Sequence, residues 1–416
     1  MSRFLVFALF SLLGSAFGQR DFEFECSLDA LVNIPENWEM TPKDLDEAFS
    51  KPESMKENVY FTWLTKNRDR AHFIRQPYSN VTVDLSLFGG EVPVEEAVAD
   101  FDDGKLLGVT FSVYNRGDSG PEGIDLEEFQ RRFKLCGQML GKNLEVRPFQ
   151  RKANPTQGLL TEGWTFISSH GMAVVEHNPE AMTGQAEFLR MRIMRRDAKG
   201  AMAAAMQSRS GASVRLSDLP ANVTRNPDGD IYIAGIPMVD QGPKGYCVVA
   251  SAQRLFEYYG IPCDQHQLAQ IAGTTASGGT STLAMSEALG KIDHRFKTRF
   301  KALGMLATNG KLYEPDRDMR LKNDFEANDF EKAIQRYVDD GIPLLWALTL
   351  GRFPEEPSIS LQATGGHMRM IIGYNPESGD VLFSDSWGAG HEVKRMKLDH
   401  AFQATHGLFV MHPTTR

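Results

Sequence analysis

QGPKGYCVVASAQRLFEYYG, residues 241–260, decides how the carboxyl-terminal half of the chain is read. Val248, Ala252, Leu255, Phe256 and Tyr259 trace one helical face, and Gly260 followed by Pro262 stops it, so a helix opens at Cys247. A thiol attacks a carbonyl usefully only as thiolate. The amino terminus of a helix favours that anion, because it carries roughly half a positive charge, and its unsatisfied N–H groups can also donate to an oxyanion. Gln241, six residues ahead, offers a side-chain N–H, and Gly242, Pro243 and Gly245 let the loop fold back towards the same point. Taken alone, a cysteine at a helix start is more often a small buried hydrophobe.

A nucleophilic thiol needs a histidine whose orientation is fixed by a second acceptor. GGHMRMIIGYNPESGDVLFSDSWG, residues 365–388, reads as two strands around a turn, with His367 opening the first and Asp385 ending the second. If Asn375 to Gly379 form the loop, closed by Tyr374 and Asp380, Asp385 stands opposite Arg369 and shares a face with His367. A loop one residue longer, without a bulge, would turn Asp385 away. The same register offers a competing partner, since Arg369 could hold Asp385 in a plain cross-strand ion pair.

These residues together resemble the papain-like cysteine peptidases, most closely the branch of bacteriocin-processing peptidases and their secreted relatives. The likeness rests on Gln241 before Cys247, YCVVAS, DQHQLAQIAG, GGTSTLAMSEAL, and the His of GGH followed by the Asp of SDSWG, and it covers roughly residues 235–412. It implies a nucleophile at Cys247, an oxyanion donor at Gln241, a general base at His367 and an orienting residue at Asp385. Papain has Asn where Asp385 stands; Asp is common there in the bacteriocin-processing branch. Trp387 is expected to shield the His367–Asp385 hydrogen bond. The resemblance implies a cysteine peptidase acting through an acyl-enzyme, with a peptide or protein substrate and no metal or organic cofactor. The same machinery also fits amidase or transglutaminase-like acyl transfer, or a papain-fold binding or adhesion protein that has lost activity.

The rest of the chain sets the frame. At 416 residues, 42% of them apolar, it is long enough for two domains. A net charge of −9 argues against a nucleic-acid partner. Residues 1–18 carry Arg3, an apolar run from Phe4 to Leu13, and then Ala16 and Gly18, the pattern of a signal peptide, so a secreted or periplasmic protein is expected. No later segment reaches the roughly 18 apolar residues of a membrane span.

Residues 19–195 read as an amino-terminal α+β domain. VTVDLSLF and FLRMRIM alternate as half-buried strands, and a helix begins after Asp125 with Leu126, Phe129, Phe133, Cys136 and Leu140 at helical spacing. Its histidines, His72, His170 and His177, show no ligand spacing and are expected at the surface, as is His266 further on. A binding, regulatory or pro-domain role is expected for this half, towards substrate or a cell surface. Residues 196–230 read as a linker, and 231–416 as a second α+β domain, helices first and strands later. Cys26 and Cys136 could be bridged or free; Cys263 is expected to be structural.

Overall fold

The computed structural model describes residues 22–415, apart from 78–79, 119–122, 155–157, 200–202, 205–210, 243–244, 273–281, 317–319 and 360–364. The expected signal peptide, residues 1–18, lies outside the described residues. The fold is α+β, with helices packed on antiparallel sheets around two hydrophobic cores, one drawn from residues 26–193 and the other from 212–411.

In the amino-terminal half, eight antiparallel strands follow the order Thr62–Trp63, Arg70–Ile74, Glu96–Asp102, Lys105–Asn115, Phe188–Met194, Met172–His177, Glu162–Ile167 and Phe149–Arg151. A three-stranded sheet lies beside it, in which Phe22–Ser27 pairs parallel with Val81–Leu87. The helix Leu126–Asn143 begins where Asp125 accepts hydrogen bonds from the N–H groups of Glu127 and Glu128, and it buries Phe129, Cys136 and Leu140. Val81–Leu87 alternates buried and more exposed residues as its sequence requires.

Phe188–Met194 departs from its expected half-burial: all seven residues are buried. Its polar residues Arg190 and Arg192 are covered because Glu176 bonds to both and Asp264, from the other half of the chain, bonds to Arg190. His72 and His177, expected at the surface, are 2% and 3% exposed. The face of the sheet that carries His72 is roofed by the carboxyl-terminal half, and His177 is packed between Phe129 and Phe133.

In the carboxyl-terminal half, one antiparallel sheet runs Val223–Arg225, Ile231–Ile233, Gly365–Asn375, Leu344–Leu350, Thr405–Pro413, Thr298–Leu306, Leu312–Pro315 and Leu321–Asp324, and Asp380–Ser384 adds to the long strand Gly365–Asn375. The helices Cys247–Tyr258, Gln265–Ala272, Thr282–Ile292 and Ala327–Asp339 precede most of these strands in sequence. Gly260, at φ +69°, ends the first, and Asp264 and Gln267 exchange side-chain-to-backbone bonds that open the second.

The stretch 196–230 expected as a linker ends differently. Residues 216–222 form a turn of 3-10 helix and 223–225 a strand of this sheet, with Leu219 fully buried. A Cβ added at Gly341 would stand 2.2 Å from the Leu219 carbonyl oxygen, so this segment lies directly on the core.

Candidate active site

Cys247 is the first residue of its helix. Tyr246 precedes it without a side-chain cap, and no acidic residue occupies the first turn. The helix terminus therefore keeps its positive end for the sulfur. The thiol lies beside His367 and close to the backbone N–H groups of Met368 and Val248, all of which favour its anion.

His367 and Asp385 meet as the hairpin register demands. Asn375 pairs with Asp380, so the turn is 376–379, one residue shorter than the expected loop. A bulge at Ile372 then absorbs the difference, and Met370 pairs with Ser384. Extending that register one pair brings Asp385 level with Arg369, as the sequence predicted.

Both candidate partners of Asp385 are engaged at once. Oδ1 lies 2.6 Å from His367 Nε2, and Oδ2 accepts from Arg369 Nε at 2.8 Å. With Nε2 committed to the carboxylate, Nδ1 is the ring nitrogen left for the thiol. Trp387 stacks on the imidazole at 4.7 Å between ring centroids and 26° between planes, covering that pair from water.

The protonation states follow from these contacts. Burial pushes the Cys247 thiol up, but the His367 hydrogen bond and charge, with the two backbone donors, bring it below its ordinary value. For His367, burial works downward and is outweighed by the bonds to Asp385 and Cys247, so its pKa is raised. Asp385, fully enclosed, is pushed up by burial yet held below the usual carboxylate range by His367, Arg369 and Lys394. The set favours a thiolate beside an imidazolium.

Beneath the pair lies a buried charge network that sequence reading reached only in part. Glu355 takes a bidentate pair from Arg369, at 2.6 and 3.0 Å, and also pairs with Lys394. Arg369 lies 4.6 Å from the Phe383 ring centroid. Arg254, on the Cys247 helix, donates to the Asp385 carbonyl oxygen at 2.9 Å and to Ser384 Oγ at 2.5 Å, which fastens that helix to the Asp385 strand. Desolvation lowers the Arg254 pKa to about 10. Glu355 left no trace in the sequence, because it sits in an irregular loop joined to Arg395 by one isolated bridge of its neighbour Glu356.

Gln241 is carried to the same place by backbone pairing. Its N–H donates to Ser386 O at 3.0 Å, and Asp240 bridges Trp387. Its side-chain Oε1 accepts from Ser386 Oγ at 2.9 Å, which assigns the other end of the amide as the donor. All four residues singled out in the sequence are thus tied to the 384–387 segment, Cys247 through His367.

Other cysteines and histidines are not part of this arrangement. Cys26, Cys136 and Cys263 are buried free thiols, and burial raises the pKa of each, that of Cys26 and Cys136 to about 12. His266, expected to be solvated, is 6% exposed and lies 2.7 Å from Glu96, a pair between the two halves of the chain that local polarity could not announce. Among the described residues, no group of three or more His, Cys, Asp or Glu side chains is placed to hold a metal ion. No helix among them is long and apolar enough to cross a membrane.

The Peptidase_C39 like family has a model that matches residues 233–409. Those residues are a Peptidase_C39-like segment. The peptidase segment carries all four site residues. Among solved structures, the chain is similar to xylellain, a cysteine protease from Xylella fastidiosa, at 13% identity and a TM-score of 0.28, covering 50% of this chain and 92% of that one. No curated protein sequence matches the chain.

Proposed function

We propose that the peptidase segment cleaves peptide bonds through a Cys247–His367–Asp385 triad and an acyl-enzyme intermediate. Cys247 thiolate adds to the scissile carbonyl while His367 holds the proton. The tetrahedral oxyanion is met by Gln241 Nε2 and the Cys247 backbone N–H. His367 then protonates the leaving amine as the C–N bond breaks, leaving a thioester. Water, deprotonated by His367, releases the acyl group and regenerates the thiol.

Asp385 orients the imidazole and balances its charge, and Trp387 keeps the pair dry. One observation carries the reading: Cys247 at a helix amino terminus beside His367, whose Nε2 is held by Asp385 at 2.6 Å.

We take residues 19–195 and the segment from about 216 onward as two domains, and residues 1–18 as an export signal that sends the enzyme to a secreted or periplasmic location. The test is digestion of a proteome-derived peptide library by wild type and by Cys247→Ala, analysed by mass spectrometry with and without an added amine. New carboxyl termini made by wild type alone support hydrolysis. Amine-capped products would redirect the second step to acyl transfer, and identical spectra from the two proteins would refute the proposal.

A further inference from the structure

Tyr246, the residue before Cys247, packs in the carboxyl-terminal core and brings its hydroxyl up to the amino-terminal half. It is fully buried, and its hydroxyl stands beside Asn115 and Gly117, at the end of a strand of the amino-terminal sheet. The same Asn115 amide lies 2.7 Å from His266 Nδ1, and His266 Nε2 lies 2.7 Å from Glu96 Oε2. Glu96 in turn holds His72 Nε2 at 3.0 Å. The Tyr246 ring packs edge-on against His266 at 6.0 Å.

Gly117 completes the socket, since a Cβ there would stand 2.4 Å from the Tyr246 hydroxyl. Nearby, Ile74 lies against Gly242 beside Gln241, and Leu64 against Gly388 beside Trp387. Arg70 donates to the Met238 carbonyl at 2.9 Å and pairs with Glu257 on the Cys247 helix at 2.8 Å. The segments that carry Gln241, Tyr246 and Trp387 therefore each lie against the amino-terminal half.

We propose that the amino-terminal domain is a working part of the active site, with Tyr246 as a positioning residue whose socket, built by Asn115, Gly117, His266 and Glu96, sets the place of the Cys247 sulfur. The proposal rests on Cys247 being the nucleophile. It also opposes a removable inhibitory pro-domain, because a domain that seats the catalytic loops cannot be cut away with a gain of activity. The mechanism is steric and local. Cys247 is the first residue of its helix, so a shift of Tyr246 moves the sulfur relative to His367, which is held independently by Asp385 and Trp387.

Gly117→Ala in the full chain perturbs the socket from the far domain. Restoring an ordinary contact of 3.4 Å from 2.4 Å requires the rigid, buried ring to retreat by about 1 Å, a misplacement that costs up to about 100-fold in rate. The readouts are kcat, KM and the pH midpoint for alkylation of Cys247 by iodoacetamide, identified by peptide mapping. Gly117→Ala is expected to lower kcat about 10- to 100-fold with KM changed less than about threefold, and to raise the alkylation midpoint.

Tyr246→Phe, which removes one oxygen and keeps the packing, shifts the midpoint the same way. The Gly117→Ala/Tyr246→Phe double variant should be no worse than Tyr246→Phe alone, because the clash has lost its oxygen. Tyr246→Phe serves if Gly117→Ala fails to fold. A folded variant with a wild-type midpoint and kcat, or one that loses only thermal stability, overturns the positioning role. Wild-type Cys247 reacting no faster than a free thiol would instead overturn the nucleophile assignment beneath it.

Discussion

Asp385→Asn is the most informative single substitution. The side chains are isosteric, so no cavity opens and the effect is electrostatic. In the wild type, Oδ1 faces His367 Nε2 and receives the Ser386 N–H, and Oδ2 faces Arg369 Nε. An amide can serve only one side as an acceptor. With its oxygen on His367, its NH2 opposes the Arg369 N–H.

Breaking a buried ion pair from one side costs about 3–5 kcal/mol. Glu355 retains its bidentate hold on Arg369, which places the expected loss near the lower end, about 3 kcal/mol at pH 7. The assay is urea unfolding from pH 3 to 8. Asp385 has a depressed folded-state pKa, so its contribution is present above the unfolded value of about 3.9 and is lost as pH falls through the folded value. The gap between wild type and variant should be widest between about pH 5 and 6.5, narrow at higher pH as His367 loses its proton, and close below about pH 4.

Activity supplies the second readout. His367 has a raised pKa, and its contribution is full below the unfolded value of about 6.5 and is lost as pH rises through the folded value. Without the Asp385 charge, the alkaline limb of kcat/KM, which belongs to the coupled Cys–His pair, should move to lower pH. Equal stability at pH 7, or an unmoved alkaline limb, would refute this reasoning.

Two further outcomes follow from the fold. Gly341→Ala, at φ +71° with the Leu219 carbonyl in the way, should cost at least about 1–3 kcal/mol in denaturant unfolding, which checks that residues 216–222 pack on the peptidase core rather than trail as a tether. All four cysteines should titrate as thiols in denaturant without reductant, and an intact mass two hydrogens lower, with two thiols missing, would contradict the free, buried Cys26 and Cys136.

The site was legible in the sequence to the extent that its parts obey local periodicity. The helix opening at Cys247 is written in its apolar spacing, and the meeting of His367 with Asp385 in the two-residue repeat of a hairpin. The turn itself was read one residue too long. That error did not propagate, because the Ile372 bulge restores the register, and a bulge has no distinct signature in an apolar run such as MIIGY, residues 370–374. The contest over Asp385 between His367 and Arg369 dissolved for a simple reason: a carboxylate has two oxygens, and each partner takes one.

What stayed hidden is long-range. Glu96 and His266 are far apart in sequence, and each looks like an ordinary polar residue until the two halves of the chain meet. The same holds for Arg190 with Asp264 and for Tyr246 with Asn115. Polar side chains between domains follow neither a helical nor a strand period, so a surface reading of His72, His177 and His266 was the natural and mistaken one.

The most direct test of the account is the rate at which iodoacetamide modifies Cys247 at pH 6.5 in wild type and in His367→Ala, with each alkylated residue mapped. The thiolate–imidazolium pair predicts selective modification of Cys247 in the wild type, at least about tenfold faster than a free thiol, and collapse of that advantage in the variant. Equal rates in the two proteins, both no faster than a free thiol, would contradict it.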